Sequence, residues 1–282
     1  MITKPTVLIT GCSDDGIGSG LALTFHERGY HVFATARNIE KLTRLKDMPD
    51  VTLLTLDVLD QAHIDAAVQA VQKHTGGTLN YLVNNAGRNH FMPVLDEELD
   101  FTRKLFDTNV WAPVAITQAF APLLIRAKGT TVFITSIAGH LNVPYMGVYS
   151  ASKRSLEVIA ETLRLELAPF HVGVLSIVTG AVRTLGQTYF GDFKLPEDSL
   201  YMPIQDTIAR RARGEDGKSR ADLMTYAKQV VSQITSGASG KFWCGDDAES
   251  VKYGSIHLPS SVMDSGVVQD TGLDVLAAQN QE

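Results

Sequence analysis

The chain has 282 residues, of which 44% are hydrophobic and 20% charged, so its composition is that of an ordinary globular protein with a large buried core. The net charge of -6 and the lack of a basic stripe argue against nucleic-acid binding. Cys12 and Cys244 are too far apart in sequence to form a metal-ligand spacing or a disulfide framework, so we expect no metal site and a reducing, cytoplasmic environment.

Short apolar runs alternate along the chain with longer amphipathic segments. Residues 6–10 form a continuous apolar run, which is typical of a parallel strand covered on both faces. Similar runs predict strands at residues 31–36, 51–56, 79–83, 130–135 and 172–178, and a last short strand at residues 240–243 before a loop-rich tail. This β-α-β order predicts one α/β domain over residues 1–282, a doubly wound parallel sheet flanked by helices.

Residues 185–236 interrupt this alternation, and we predict that they form a helical substrate lid inserted after the sixth strand. The segment is polar and contains Gly, Pro and a basic cluster. Glu215 and Asp216 lie among the basic side chains, which favours a solvated helix face over a phosphate-binding site. The basic residues are Arg210, Arg211, Arg213, Lys218 and Arg220.

The first strand ends in a glycine-rich turn, residues 10–18 (TGCSDDGIG), and a helix follows. Glycines permit a tight turn and let the backbone approach a pyrophosphate, which then rests on the helix N-terminus. This placement predicts a dinucleotide site rather than a plain glycine-rich turn. Asp14 and Asp15 lie in the same turn and would repel phosphates unless they point outward. The candidate cofactor contacts are Gly11, Ser13, Gly16, Ile17 and Gly18.

A basic residue, Arg37, follows the second strand about where an NAD-specific site places an acid for the ribose hydroxyls. An arginine suits a 2′-phosphate through its charge and its fork of donors, so we expect NADPH to be preferred over NAD, with Asn38 beside it. The alternative is a solvated arginine at a helix start. Asp57, followed by Val58, ends the third strand and could accept a hydrogen bond from adenine or cap the next helix.

Tyr149 and Lys153 stand four residues apart, so they share one face of a helix, and Ser136 lies upstream. A nearby ammonium favours the phenolate, which is expected to lower the pKa of Tyr149 from about 10. Such a phenol can give a proton to a carbonyl oxygen, or take one from an alcohol, in the same step as a hydride transfer. Ser136 would then orient the substrate oxygen as a preorganised donor.

In combination these motifs resemble those of the short-chain dehydrogenase/reductase family over residues 7–184. The matching motifs, in family order, are the glycine turn at residues 10–18, Asn-Asn-Ala-Gly at residues 84–87, Asn109, Ser136, and Tyr149 with Lys153. A further likeness is to the 1-acyldihydroxyacetone-phosphate reductase-like branch, and it rests on the long glycine turn and on residues 194–196, 199–201 and 240–243.

The resemblance implies a Rossmann fold, a nicotinamide cofactor and a homodimer or homotetramer. It implies a catalytic tetrad of Asn109, Ser136, Tyr149 and Lys153, in which Lys153 also holds the nicotinamide ribose and Asn109 holds a water molecule. The further cofactor contacts that it implies are Asn85, Ala86, Gly87, Val182 and Thr184, together with Tyr149 and Lys153.

Two departures from the family pattern affect the cofactor site. Four residues, rather than the usual three, separate the first two glycines of the turn. After the sixth strand, Thr179-Gly180 replaces the usual Pro-Gly. We expect the loss of the proline to loosen this loop without abolishing the contacts made by Thr184.

These residues favour an NADPH-dependent oxidoreductase that reduces a ketone on a bulky or lipid-like small molecule, with Tyr149 as the proton donor. Phe190, Phe193 and Leu195 in the lid segment favour such a substrate. The alternatives are an alcohol dehydrogenase acting on a sterol, terpenoid or polyketide alcohol, and a non-catalytic NADP-binding scaffold. The chain enters a strand by Val7, too early for a signal peptide, and we expect no stretch that spans a bilayer. Peripheral contact with a lipid droplet or the endoplasmic reticulum stays open.

Overall fold

The structure, a computed structural model, describes residues 4–279, except for the side chains of residues 187–189. Its centre is a seven-stranded parallel sheet with the order β3-β2-β1-β4-β5-β6-β7. The strands are β1 (Thr6–Ile9), β2 (His31–Ala36), β3 (Val51–Thr55), β4 (Tyr81–Asn84), β5 (Thr130–Ser136), β6 (Gly173–Thr179) and β7 (Gly240–Cys244). The predicted doubly wound sheet and all of the predicted strands are confirmed.

Helices cover both faces of the sheet. They are α1 (Ile17–Glu27), α2 (Gln61–Thr75), α3 (Leu99–Phe106), α4 (Ala112–Ala127), α5 (Gly147–Leu167), α6 (Gln205–Ala212), α7 (Leu223–Thr235), α8 (Ala248–His257), α9 (Ser260–Val267) and α10 (Leu273–Gln279). In β1, Val7 and Ile9 join the core under α1 and α7, while Leu8 joins the core under α2 and α4. Successive side chains of a strand point to opposite faces, which explains why the whole strand is apolar.

The lid ends earlier in the chain than predicted. Residues 185–212, with the 3-10 turns Leu185–Phe190 and Met202–Ile204 and helix α6, cover the carboxyl edge of the sheet. Helix α7 is instead a core helix, because Tyr226, Val230 and Ile234 are fully buried beside α1. Its apolar residues recur every three or four positions, so they form one stripe that packs on the sheet.

The tail is helical, so the prediction of a loop-rich tail is wrong. Helices α8, α9 and α10 occupy most of residues 248–279. Leu273 and Leu276 of α10 pack on the lid cluster around Ile204. The hydroxyl of Tyr145 donates to the carbonyl oxygen of Thr271 at 2.9 Å, so the tail is also fastened to the segment that precedes α5.

The loop after β6 is held firmly, contrary to the expectation that losing the proline would loosen it. Gly180 N donates to Cys244 O at 2.8 Å, and Ala181 N donates to Asp246 O at 2.8 Å. A second bridge joins Val182 to Ala221. Backbone hydrogen bonds to two distant segments therefore replace the restraint that a proline ring would supply.

Gly180 is required by the close approach of the Asp246 backbone. A Cβ atom at Gly180 would lie 2.1 Å from Asp246 O, so Gly180→Ala must push the two segments apart. We expect a loss of about 2–3 kcal/mol in the free energy of unfolding, measured by urea titration. Gly266→Ala is the control, because nothing lies within 4 Å of the added Cβ, and it should leave stability unchanged or slightly higher. Equal stability of the two variants would contradict this account.

One helical stretch, Leu99–Ala127, is long and apolar enough to cross a membrane by length and composition alone, with a mean hydropathy of 1.3 in its apolar window. The sequence pattern did not predict a stretch that meets these two criteria. Ile116, Phe120 and Leu124 of this stretch pack into the core beside α2. A core helix meets the same length and composition criteria, so the stretch is weak evidence for a membrane span.

Candidate active site

The glycine turn between β1 and α1 is packed so closely that only glycine fits at two of its positions. Gly11 has a φ of 72°, and a Cβ there would lie 3.0 Å from the Cα of Ala86. A Cβ at Gly18 would lie 2.3 Å from Gly11 O. Asn85 Nδ2 donates to Thr10 O at 2.8 Å and to Gly11 O at 2.9 Å. The side chain of Asn85 thus clamps the turn, a role that its place in the motif did not reveal.

The N-terminus of α1 is open to an anion. Gly16 caps the helix without a side-chain hydrogen bond, and the first turn carries no acidic residue. Gly16 N donates to Ser13 O at 3.1 Å, which closes the turn just before Ile17 begins the helix. Free N–H groups and the positive end of the helix dipole suit a pyrophosphate at this position.

The two acidic residues of the turn point away from this helix end. Asp14 Oδ2 accepts hydrogen bonds from Thr43 N at 2.9 Å and from Thr43 Oγ1 at 2.6 Å. Asp15 has a φ of 59° and pairs with Arg44 Nη2 at 2.7 Å. The extra residue of the long turn therefore ties it to the segment after β2. Asp15 is paired with a cation and Asp14 is held by hydrogen bonds away from the helix end, so their repulsion of a phosphate there is reduced.

The residues after β2 and β3 lie at the same edge of the sheet. Arg37 is exposed and makes no hydrogen bond or ion pair with any residue that the structure describes. Asn38 caps a 3-10 turn by accepting from Glu40 N at 2.9 Å. Asp57 Oδ1 accepts from the N–H of Leu59 at 3.1 Å, whereas Asp60 caps α2. The predicted alternative that Asp57 caps this helix is therefore wrong.

Ser136 and Tyr149 meet at the carboxyl end of β5. Ser136 ends the strand and caps the following 3-10 turn, and its hydroxyl lies beside the phenol of Tyr149. Burial raises the pKa of Tyr149 above its ordinary value, although the nearby Ser136 hydroxyl opposes the shift. The prediction that Lys153 lowers this pKa is not borne out, because the effect of burial is the larger one. The phenol is therefore protonated at neutral pH.

Lys153 lies on the face of α5 that carries Tyr149, as its spacing predicts, but it is deeper in the protein. Its Nζ is 6.0 Å from the centre of the Tyr149 ring and donates to Ile134 O at 2.9 Å. Burial lowers the pKa of Lys153 to about 8, so the group is still mostly charged at pH 7 but loses its proton at a much lower pH than an exposed lysine does. A Cβ at Gly87 would lie 3.4 Å from this Nζ, so Gly87 leaves space beside the ammonium group.

Asn109 lies in a π-helical turn, Asp107–Trp111, that joins α3 to α4. Its Nδ2 donates to Arg88 O at 2.9 Å and to Ser152 Oγ at 3.1 Å, and its Oδ1 accepts from Arg88 N at 2.8 Å. Turns of this kind occur often at functional sites. Both donors of the amide are used by the protein, so only Oδ1 can take a further partner beside Gly87.

The loop after β6 brings Val182 and Thr184 to the same edge of the sheet. The side chain of Val182 is buried in the core. The hydrogen bonds of its bridge use Ala181 and Arg183, so the backbone N–H and C=O of Val182 remain open among the described residues. Thr184 Oγ1 accepts from Gly186 N at 3.2 Å and caps the first turn of the lid.

The lid packs against the loop that follows the Asn-Asn-Ala-Gly motif. Phe91 and Tyr145 are buried in one apolar cluster with Leu195 and Ile208 of the lid. Tyr145 has a φ of 69°, a conformation that few non-glycine residues adopt. No local sequence signal marked this conformation.

A buried pair of hydrogen-bonded side chains supports the same loop. His90 Nε2 lies 2.7 Å from Glu97 Oε2, and both side chains are almost completely buried. This pair holds His90 in place beside Phe91. Glu97 was missed, although an acid close to a buried histidine in sequence was the available signal.

Comparisons with known proteins agree with this arrangement. A profile of the short chain dehydrogenase family matches residues 5–192. The chain is 46% identical over 270 residues to the short-chain dehydrogenase ptmH of Penicillium ochrochloron, covering 96% of this chain and 99% of that one. It is 41% identical over 212 residues to the NADPH-dependent 1-acyldihydroxyacetone phosphate reductase of Schizosaccharomyces pombe, covering 74% and 71%.

A solved structure shows the same fold. The crystal structure of a short-chain dehydrogenase from Streptomyces avermitilis superposes with a TM-score of 0.78 and 26% identity, covering 99% of both chains. The glycine turn, the open N-terminus of α1 and the Ser136–Tyr149 pair lie together at the carboxyl edge of a sheet of this kind. The chain therefore belongs to the short chain dehydrogenase family and is an oxidoreductase.

Proposed function

We propose that the protein reduces a ketone on a bulky, apolar small molecule to a secondary alcohol with NADPH. The observation that carries this proposal is that Ser136 lies beside Tyr149, a half-buried phenol that keeps its proton at neutral pH. A phenol that keeps its proton at neutral pH is suited to donate it to a carbonyl oxygen. The open end of α1 and the unpaired Arg37 fit the pyrophosphate and the 2′-phosphate of the cofactor.

Each residue of the tetrad has a separate task in this reaction. NADPH, when bound, supplies the hydride that reduces the carbonyl carbon. Ser136 holds the carbonyl oxygen by a hydrogen bond, and Tyr149 donates its phenolic proton to that oxygen as negative charge develops there. Lys153 supplies positive charge beside the phenolate that remains and lies where it can bind a ribose hydroxyl. Asn109 Oδ1, close to Lys153 at Gly87, can hold a water that returns the proton.

The preference for NADPH rests on Arg37. We expect Arg37→Leu to raise the Kd of NADPH about tenfold to a hundredfold, because one charge-assisted contact with the 2′-phosphate is lost. The Kd of NADH should change by less than about twofold. Titration of cofactor fluorescence measures both constants, and Arg103→Leu on α3 is a control for the loss of a surface charge. Equal weakening of both cofactors would show that Arg37 does not select between them.

The substrate class rests on the apolar lid. Phe190, Phe193, Tyr201 and Met202 line the lid cluster over the loop that carries Phe91. Such a wall suits a long or ring-shaped apolar group, since it offers few polar contacts. The relative from Schizosaccharomyces pombe is named as a reductase of 1-acyldihydroxyacetone phosphate. We therefore place the ketone of a lipid-like molecule first among the candidate substrates.

The first experiment follows NADPH consumption by the purified protein given a 1-acyldihydroxyacetone phosphate. Steroid, terpenoid and polyketide ketones form the second arm, and the matching alcohols with NADP the third. Consumption in the first or second arm supports ketone reduction. Turnover only of alcohols would favour the dehydrogenase alternative, and cofactor binding without turnover in any arm would favour a scaffold.

We also propose that the protein forms a homodimer or homotetramer through α5 and the π turn. The side chains of Trp111, Val158 and Leu165 are 57%, 52% and 65% exposed, so a partner subunit packed on these elements would bury apolar surface. A cytoplasmic location with peripheral contact to a lipid surface remains our proposal for the protein in the cell.

A further inference from the structure

Three basic side chains contact a buried carboxylate on α5. Glu157 has an exposed fraction of 1%. His140 Nε2 lies 2.8 Å from Oε2, while Arg154 Nη1 and Lys241 Nζ lie 2.7 Å and 3.0 Å from Oε1. Burial alone would raise the pKa of Glu157, but the hydrogen bonds and charges of His140 and Lys241 outweigh it and hold the pKa below its ordinary value. The carboxylate is therefore ionised, and it depends on these donors.

The donors come from three elements, one of which carries the catalytic serine. His140 ends the 3-10 turn Ile137–His140, which begins at its cap, Ser136. The turn lies directly on α5, since a Cβ at Gly139 would come within 3.0 Å of Arg154 N. Lys241 belongs to β7 and reaches the carboxylate from the edge of the sheet.

The same helix carries Glu157 and the reacting phenol. Glu157 lies one helical turn beyond Lys153 and two turns beyond Tyr149, so these residues move as one rigid body. The hydrogen bond between His140 and Glu157 thus fixes the turn that Ser136 begins to the helix that carries Tyr149. Loss of that bond would leave a buried carboxylate short of a donor and free the far end of the turn.

We propose that Glu157 is a positioning residue, which acts through His140 to hold Ser136 within hydrogen-bonding reach of the Tyr149 hydroxyl. This inference rests on the proposed function, in which Ser136 and Tyr149 act on the substrate oxygen. Glu157 itself does not contact the substrate. Lys241 binds the same carboxylate from β7, so it stabilises the fold but does not set the position of the turn.

The test compares substitutions of His140 that keep or remove its hydrogen bond to Glu157. His140→Gln keeps an N–H donor of similar reach, His140→Leu fills the space without a donor, and His140→Asn is too short to reach the carboxylate. Lys241→Met removes another donor to Glu157 and is the control for lost stability.

Three measurements are made on each variant. The contact between Ser136 and Tyr149 is read from the NMR resonance of the Tyr149 ζ carbon, which is sensitive to hydrogen bonding at the phenol oxygen. Isotopic labelling of tyrosine at that carbon gives the signal, and Tyr149→Phe identifies it. The Kd of NADPH, and kcat and KM with phenanthrenequinone as the carbonyl probe, are measured alongside.

We expect His140→Leu and His140→Asn to move the Tyr149 resonance and to lower kcat about tenfold to a hundredfold, with the Kd of NADPH within about twofold. His140→Gln should retain both the resonance and kcat. Lys241→Met should lower the Tm and leave the resonance in place. If His140→Leu does not fold, His140→Asn carries the test.

An unmoved resonance in the two donor-free His140 variants, or equal displacement in Lys241→Met, overturns the proposal. If the unmodified enzyme reduces no carbonyl, the proposed function fails while the resonance still decides whether Glu157 positions Ser136.

Discussion

Tyr149→Phe is expected to lower kcat for ketone reduction about a hundredfold to ten-thousandfold, with the Kd of NADPH within about threefold of the original. The phenylalanine ring fills the same volume and lacks only the proton that the carbonyl oxygen must receive. Only the interaction of the hydroxyl with Ser136 is lost, so the free energy of unfolding should fall by no more than about 1 kcal/mol. The measurements are steady-state turnover and fluorescence titration with NADPH.

Tyr81→Phe is the matched control for this variant. Tyr81 begins β4, at the amino-terminal ends of the parallel strands and so away from the site, and the centre of its ring lies 5.8 Å from that of Tyr30. This variant also loses a phenol hydroxyl, but at a position remote from the substrate. Its turnover should therefore stay within about twofold of that of the unmodified protein. Retained turnover in Tyr149→Phe, or an equal loss in Tyr81→Phe, would exclude Tyr149 as the proton donor.

The direction of the Tyr149 pKa shift also bears on the pH profile. Because burial raises this pKa, the phenol keeps its proton throughout the neutral range. Ionisation of the phenol should therefore not limit ketone reduction in the neutral range, and the rate should fall above about pH 8, where Lys153 loses its charge. Oxidation of an alcohol needs the ionised phenol, so it should speed up as the pH rises.

The sheet and the order of its motifs could be predicted because their signals are local. A parallel strand covered on both faces is apolar throughout, and β1 shows why, since Val7 and Leu8 enter opposite cores. The spacing of Tyr149 and Lys153 likewise fixed their common helical face. The chemistry of the site could be predicted because the family motifs lie at the ends of these strands.

Features that depend on distant segments could not be predicted. The firm loop after β6 needs the backbone of Asp246, which no pattern near Gly180 reveals. The pKa of Tyr149 is raised by burial among elements from the whole chain, whereas spacing showed only the nearby lysine. The outward turn of Asp14 depends on donors at Thr43 in the segment after β2.

The error at α7 has a different origin, because its signal was present. Ala227, Val230 and Ile234 follow the helical spacing of a buried stripe. The polar composition averaged over residues 185–236 concealed that stripe. Periodicity within each candidate helix is therefore a better guide to burial than the composition of the segment around it.

Lys153→Met is expected to give a protein that is more stable at neutral pH and almost inactive. Lys153 is 7% exposed, and burial lowers its pKa to about 8, so at pH 7 the native state carries a charged ammonium in a place that disfavours it. Methionine has a similar length and no charge, which removes a penalty of about 3 kcal/mol. The substitution also removes the hydrogen bond to Ile134 O, which costs about 1 kcal/mol and offsets part of the gain in the free energy of unfolding.

The sign of the pH dependence follows from the same shift. Between pH 8 and the ordinary pKa of 10.5, the native state binds fewer protons than the unfolded state, so the stability of the unmodified protein should rise with pH across that range. Lys153→Met should lack this rise, and its advantage should shrink as the pH increases. Urea unfolding at several pH values measures both effects, with Lys73→Met, at an exposed position on α2, as the control.

The second measurement on Lys153→Met is its turnover of a ketone. Without an ammonium group at this position, the phenolate left after proton donation has no positive charge beside it, so kcat should fall about a hundredfold or more. A gain in stability together with this loss would show that the site holds an unfavourable buried charge because the reaction needs it. If Lys153→Met is instead less stable, and its free energy of unfolding depends on pH as that of the unmodified protein does, the hydrogen bond to Ile134 O already compensates the buried ammonium.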